Sequence, residues 1–231
     1  MALTPFGGIS PYARPHFVPG GFTPPAGCVV WAKVDTAATG VVSTWSDSSG
    51  NSNDFSTAIG ALTGVASVLN GHKVVRFLAG GMNTPSINIS NRTYFIVASI
   101  SGLGTIYNAL LTNPASPFYQ LYVPNGGNYN LFYDPNNFDS GLAPSGFGII
   151  AVRFGATAQV YLNGNPGTSN SISISSTNQV ISLGWNGVNT TGELNGDVAE
   201  VFVFNSSLSD ANMNLVGNYI AGWSSIPWTN I

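Results

Sequence analysis

LNGDVAEVFVFNSSLSDANMNLVGNYIAGW, residues 194–223, decides how the rest of the chain is read. From Asp197 to Asn205 the residues Val198, Glu200, Phe202 and Phe204 alternate with Ala199, Val201 and Val203, giving one side-chain set per face. Both sets are apolar enough to be buried, which suits a strand inside a packed sheet. Ser209 then stands where a helix N-cap belongs, and Asp210 follows where the positive end of the helix dipole favours a carboxylate. Met213, Val216, Ile220 and Trp223 recur at helical spacing, so a short amphipathic helix with one stripe to bury is expected. Strict alternation puts Asp197 and Glu200 on opposite faces of the strand.

Upstream, short period-2 segments follow one another from Cys28 onward, among them 28–33, 41–45, 73–78, 93–100, 118–123, 147–154 and 158–162. Gly, Asn and Pro separate them, the pattern of an all-β sandwich or barrel. Asn163-Gly164 after AQVYL marks a type I′ hairpin, since both central residues need positive φ, and pairs 158–162 with the segment from Asn165. Residues 1–27 differ. Six prolines there forbid a helix or a central strand, yet Phe6, Tyr12, Phe17 and Phe22 are spaced through the segment. An extended arm that lies along a surface is expected, with these four rings as partner-binding residues, and residues 28–231 as the folded domain.

Composition excludes several functions. Charged residues are 6% of the chain, the net charge is -3, and there are six Lys and Arg in all. Phosphate recognition needs clustered cations, so nucleic acid is excluded as a partner. No apolar run reaches the eighteen or so residues of a membrane span, and the start lacks the basic and apolar regions of a signal peptide. The single cysteine, Cys28, reads as a small apolar residue in CVVW.

Four motifs resemble the concanavalin A-like jelly-roll group, in particular its laminin-G-like, pentraxin-like domains of phage and bacterial surface proteins. They are Trp45-Ser46-Asp47-Ser48-Ser49-Gly50-Asn51-Ser52-Asn53, Val75-Arg76-Phe77, Tyr161-Leu162-Asn163-Gly164, and Gly196-Asp197-Val198-Ala199-Glu200-Val201 with Leu208-Ser209-Asp210. Leu78-Ala79 departs from the Asp-Gly usual after the second motif. The resemblance spans residues 28–223 and implies two antiparallel sheets face to face, one concave, with one short C-terminal helix. Its members include lectins, glycanases and structural modules, so the site must decide among them.

The glycanase pattern E-x-D-x-x-E that the resemblance would bring is absent, and the only glutamates are Glu193 and Glu200. No catalytic residue is assigned. Asp47, Asn51 and Asp54 are calcium-type ligands, although an Asx turn accounts for the same residues. Trp185, Asn186 and Tyr133 combine rings and amides as a glycan site does. With the missing leader, the charge-poor composition and the arm, the first expectation is a non-catalytic virion protein. It would be a phage capsid decoration or tail-fibre component, made in the host cytoplasm, homo-oligomeric, and bound to other virion proteins through the arm. The alternative is a carbohydrate- or host-receptor-binding module contacting surface glycans, and third a polysaccharide-degrading enzyme. No cofactor is expected beyond the calcium hypothesis.

Overall fold

The computed structural model describes residues 21–231, apart from 90, 102–106, 114–118, 125, 134–135, 172–176 and 187–191. In chain order the first strands are β1 (Cys28–Ala32), β2 (Gly40–Val41), β3 (Thr44–Trp45), β4 (Phe55–Ile59), β5 (Leu62–Leu69) and β6 (His72–Asn83). Next come β7 (Ile87–Ile89), β8 (Arg92–Ile100), β9 (Tyr107–Asn113), β10 (Tyr119–Pro124), β11 (Asn130–Tyr133) and β12 (Asn136–Asp139). The last are β13 (Gly148–Phe154), β14 (Thr157–Leu162), β15 (Asn165–Ser171), β16 (Thr177–Gln179), β17 (Ser182–Leu183) and β18 (Leu194–Phe204), followed by the helix α1 (Asp210–Ser224). The fold is therefore all-β with one C-terminal helix. Every pairing among the described residues is antiparallel.

Apart from β1, which pairs with β18, and a separate β7–β16 pair, the strands form two ladders that share β6. The first runs β2-β5-β6-β18-β8-β13-β14-β15, and the second runs β12-β11-β10-β9-β17-β6 with β4 and β3 beyond. The first part of β6 pairs with β18 through Gly80, and Met82 and Asn83 pair with β4 and β17. Between them Ala79 has φ 53 and falls outside the β18 register, so β6 changes ladder at a bulge.

β18 explains its own composition. One edge is taken by β8 over nearly its whole length, and the other first by β6 and then by β1. Val198, Val201 and Val203 enter a core that also holds Phe77, Ile96 and Val152 from the first ladder and Met82, Leu111, Leu121, Leu131 and Leu183 from the second. Ala199, Phe202 and Phe204 enter a second core beneath α1 with Trp31, Phe95 and Ile149. The expected stripe Met213, Val216, Ile220 and Trp223 is fully covered there, each side chain contributing roughly 2 kcal/mol. Ser209 caps the helix, its Oγ accepting from the Asn212 amide at 3.3 Å.

The hairpin at Asn163-Gly164 has φ 54 and 83, and Leu162 pairs with Asn165. Gly164 meets a second demand. The C-terminal tail crosses it so closely that a Cβ there would lie 1.8 Å from the Thr229 carbonyl oxygen. The tail is fastened to α1 by Asn214, which exchanges two hydrogen bonds with the Ile231 backbone and accepts one from Trp228 Nε1. No helix among the described residues is long and apolar enough to cross a membrane.

Candidate functional site

The acidic pair on β18 is arranged otherwise than alternation predicts. Val198 pairs with Ala98 and Glu200 with the adjacent Val97, so Ala199 is bulged. Two successive residues then face the same way. Ala199 and Glu200 both point toward α1, and Asp197, directly opposite Arg76, shares that face. The expectation of opposite faces is thus corrected by one inserted residue.

Sharing a face does not make the two carboxylates a hydrolytic pair. Asp197 is held by Arg76 through Nε at 2.8 Å and Nη2 at 2.9 Å. Glu200 is 0% exposed. Its Oε1 accepts from Trp31 Nε1 at 2.7 Å and the Tyr219 hydroxyl at 3.3 Å, and its Oε2 from Trp223 Nε1 at 2.9 Å. Burial pushes its pKa up to about 7, against the opposing pull of these donors. Glu200 joins β18 to β1 and α1 and is closed to a substrate.

Phe22 sits on this cluster. Its ring stacks on Tyr219 with centroids 3.8 Å apart and meets Trp31 and Phe202 edge-on at 5.8 and 6.2 Å. The end of the arm is thereby seated on its own domain. Phe6, Tyr12 and Phe17 lie outside the described residues.

The 47–54 loop is closed by its own hydrogen bonds. Asp47 Oδ1 accepts from the Trp31 and Ser49 amides, and Oδ2 from Ser49 Oγ and the Asn53 amide. Asp54 Oδ1 accepts from the Asp47 amide, and Asn51 Nδ2 donates to the Cys28 carbonyl and Ser49 Oγ. The Asx-turn reading accounts for the contacts within the loop, while Asp47 and Asn51 also tie it to β1 through the Trp31 amide and the Cys28 carbonyl. Among the described residues no three of His, Cys, Asp and Glu group as metal ligands. Cys28 is half-buried, its thiol pushed up to about 12 chiefly by burial, which makes it a poor nucleophile.

The second ladder has a continuous row on the face turned away from the core. The register links Ser56, Asn83, Ser182, Thr112, Gln120, Phe132 and Asn137 across seven strands. The adjacent row, Met82, Leu183, Leu111, Leu121, Leu131 and Phe138, points into the core. Alternation therefore leaves hydroxyls, amides and one ring on the outward side.

Trp185 lies on that side and is held from three directions. Its Nε1 donates to Asn83 Oδ1 at 2.9 Å, its carbonyl accepts from Thr112 Oγ1 at 2.7 Å, and its ring packs against Gly81. A Cβ on residue 81 would come within 2.3 Å of the indole, so only glycine admits the ring. Ser182 Oγ donates to the same Asn83 Oδ1 at 2.8 Å and fixes that amide. Trp185 and its neighbour Asn186 remain half-buried, open in part to solvent.

Tyr133 does not join them. It alternates with Phe132 and packs on the core, so Phe132 is the β11 ring on the Trp185 side. Tyr119 and Tyr129, from the same aromatic and amide-rich stretch, are core residues as well. Asn83, Thr112 and Gln120 were missed by sequence reasoning. Their only signal is a polar residue directly after an apolar one, in Met82-Asn83, Leu111-Thr112 and Tyr119-Gln120, a pattern common to outward strand positions.

No family model and no curated protein matches the chain. Solved structures do. A sialidase of Trypanosoma rangeli is similar with a TM-score of 0.60 at 14% identity, over 86% of this chain and 33% of that one. The binding domain of Paraclostridial Mosquitocidal Protein 1 is similar with a TM-score of 0.63 at 13% identity, over 83% of this chain and 52% of that one. This chain thus spans a third to a half of the length of these two proteins. Domain 4 of AbnA, a GH43 extracellular arabinanase from Geobacillus stearothermophilus, solved with arabinotriose, gives a TM-score of 0.62 at 17% identity, over 81% of this chain and 97% of that one. At these identities the likeness establishes a shared fold and leaves activity to be argued from the site.

Proposed function

We propose that this chain is a non-catalytic carbohydrate-binding module, a concanavalin A-like jelly-roll sandwich whose second sheet presents the ligand face. The observation that carries the reading is Trp185, an indole locked against Gly81 and by Asn83 and Thr112 beside a row of amides and hydroxyls. Sugars are bound by an apolar ring face together with directional hydrogen bonds, and a ring fixed in advance loses little entropy on binding. The non-catalytic part rests on Glu200 being sealed beneath α1 and Asp197 being paired with Arg76.

Fold neighbours described as the binding domain of a mosquitocidal protein and as an arabinanase domain in complex with arabinotriose support this reading. None of them speaks for a virion protein, and the binding-module alternative is therefore preferred to it. A glycan array probed with the intact chain and with Trp185→Ala tests the proposal. Specific binding lost in a variant that melts like the parent is the expected result. Binding that survives the substitution would move the site elsewhere.

A further inference from the structure

Among the described residues the binding face proposed above carries no positive charge. No Lys or Arg lies between Arg92 and Arg153, and none follows Arg153. β9, β10, β11, β12 and β17, with the turn bearing Trp185, come entirely from those stretches, and β4 and the end of β6 contain none either. Arg92 is no exception, since it is 1% exposed with its guanidinium 4.8 Å from the Tyr119 ring in the interior. The charge at the margin of the face is negative, Asp139 at the end of β12.

Spacing adds a second constraint. Trp185 rests on Gly81 of β6, and Phe132 is on β11, four strands away. At about 4.8 Å per strand this is about 19 Å. Gln120 lies between them, half-buried like Phe132. Ser182 and Thr112, also between them, are buried and committed to holding Asn83 and Trp185. Among the described residues the Gln120 and Asn137 amides take part in no side-chain hydrogen bond.

We infer that this face, if it is the glycan site proposed above, takes neutral linear oligosaccharides lying across the strands and rejects uronic, sialic and sulfated ones. The physical reason is desolvation. An anion brought onto a face with no counter-charge loses hydration without repayment and meets Asp139 besides. Neutral hydroxyls exchange water for amide partners at little net cost. A single sugar ring touches Trp185 or Phe132 but not both, so affinity grows with chain length until the span is filled.

Calorimetry of the full chain tests this with two sets of linear oligosaccharides of increasing length. The neutral set comprises gluco-, manno-, xylo- and arabino-oligomers, and the acidic set oligogalacturonate, sialyl and sulfated oligomers. Binding confined to the neutral set, tightening by about tenfold or more from the single sugar to the longest chain, is expected. The variant Gln120→Lys should gain the acidic set while melting like the parent. Acidic chains bound as tightly as neutral ones would overturn the selectivity and leave glycan binding standing. A single sugar bound as tightly as the longest chain would overturn the extended site. Unaltered rejection of acidic chains by a folded Gln120→Lys would show that the site is not on this face. No binding to either set would sink the carbohydrate reading itself.

Discussion

Replacing Glu200 by glutamine separates a buried ionising carboxylate from a merely polar one. Among the described residues Glu200 has no cation against it; its acceptors are filled by two indole N–H groups, a phenol and the Val34 backbone. With its pKa raised from 4.5 to about 7, the folded state holds a proton that the unfolded chain releases earlier. The contribution of Glu200 to stability is therefore full below about pH 4.5, falls as pH rises through the window up to about 7, and is lost above it. At about 1.4 kcal/mol per pH unit the loss amounts to about 3 kcal/mol. Glutamine keeps the shape, but whichever way its amide turns, one indole N–H faces an N–H. That costs roughly 1–3 kcal/mol at every pH. The expected result is a variant clearly less stable than the parent near pH 5 and equal to it or better near pH 8. Urea unfolding followed by tryptophan fluorescence across this range gives both curves. A difference between parent and variant that stays constant with pH would refute the picture of a carboxylate that titrates inside the fold.

Other perturbations follow from single contacts. Gly164→Ala places a side chain at φ 83 and against the Thr229 carbonyl, and should cost at least about 2 kcal/mol in a thermal melt. Asp47→Ala removes the acceptor of four donors and should cost about 2–3 kcal/mol. The parent should melt at the same temperature in calcium and in chelator, whereas a calcium-dependent rise would restore the loop as a metal site. Phe22→Ala loses the stack on Tyr219 and should cost about 1 kcal/mol beyond its buried area, with tyrosine and tryptophan fluorescence altered. Asn83→Ala should leave the fold cooperative while weakening glycan binding, because Trp185 loses the acceptor that fixes its ring.

Local chemistry made much of the fold readable. The Ser209 cap, the buried stripe of α1 and the Asn163-Gly164 hairpin depend on residues close together in the chain, and each lies where the pattern put it. β5 was invisible because LTGVASVL has a broken alternation. Its burial follows the register with β6 and a bulge before Leu69, neither of which a period-2 pattern contains. Trp185 was legible as a ring at a strand end. Its supports were not, since Gly81, Asn83 and Thr112 come from strands far apart in sequence.

The stretch 194–223 holds both halves of the lesson. By itself the sequence determined that this segment is a strand with two apolar faces followed by an amphipathic helix, because hydrophobic periodicity and capping are set within a few residues. Only the tertiary structure decided where its charges point. Whether Ala199 is paired or bulged depends on the register with β8, a contact made across the sheet, and that one residue turns Glu200 to the face of Asp197 and beneath α1.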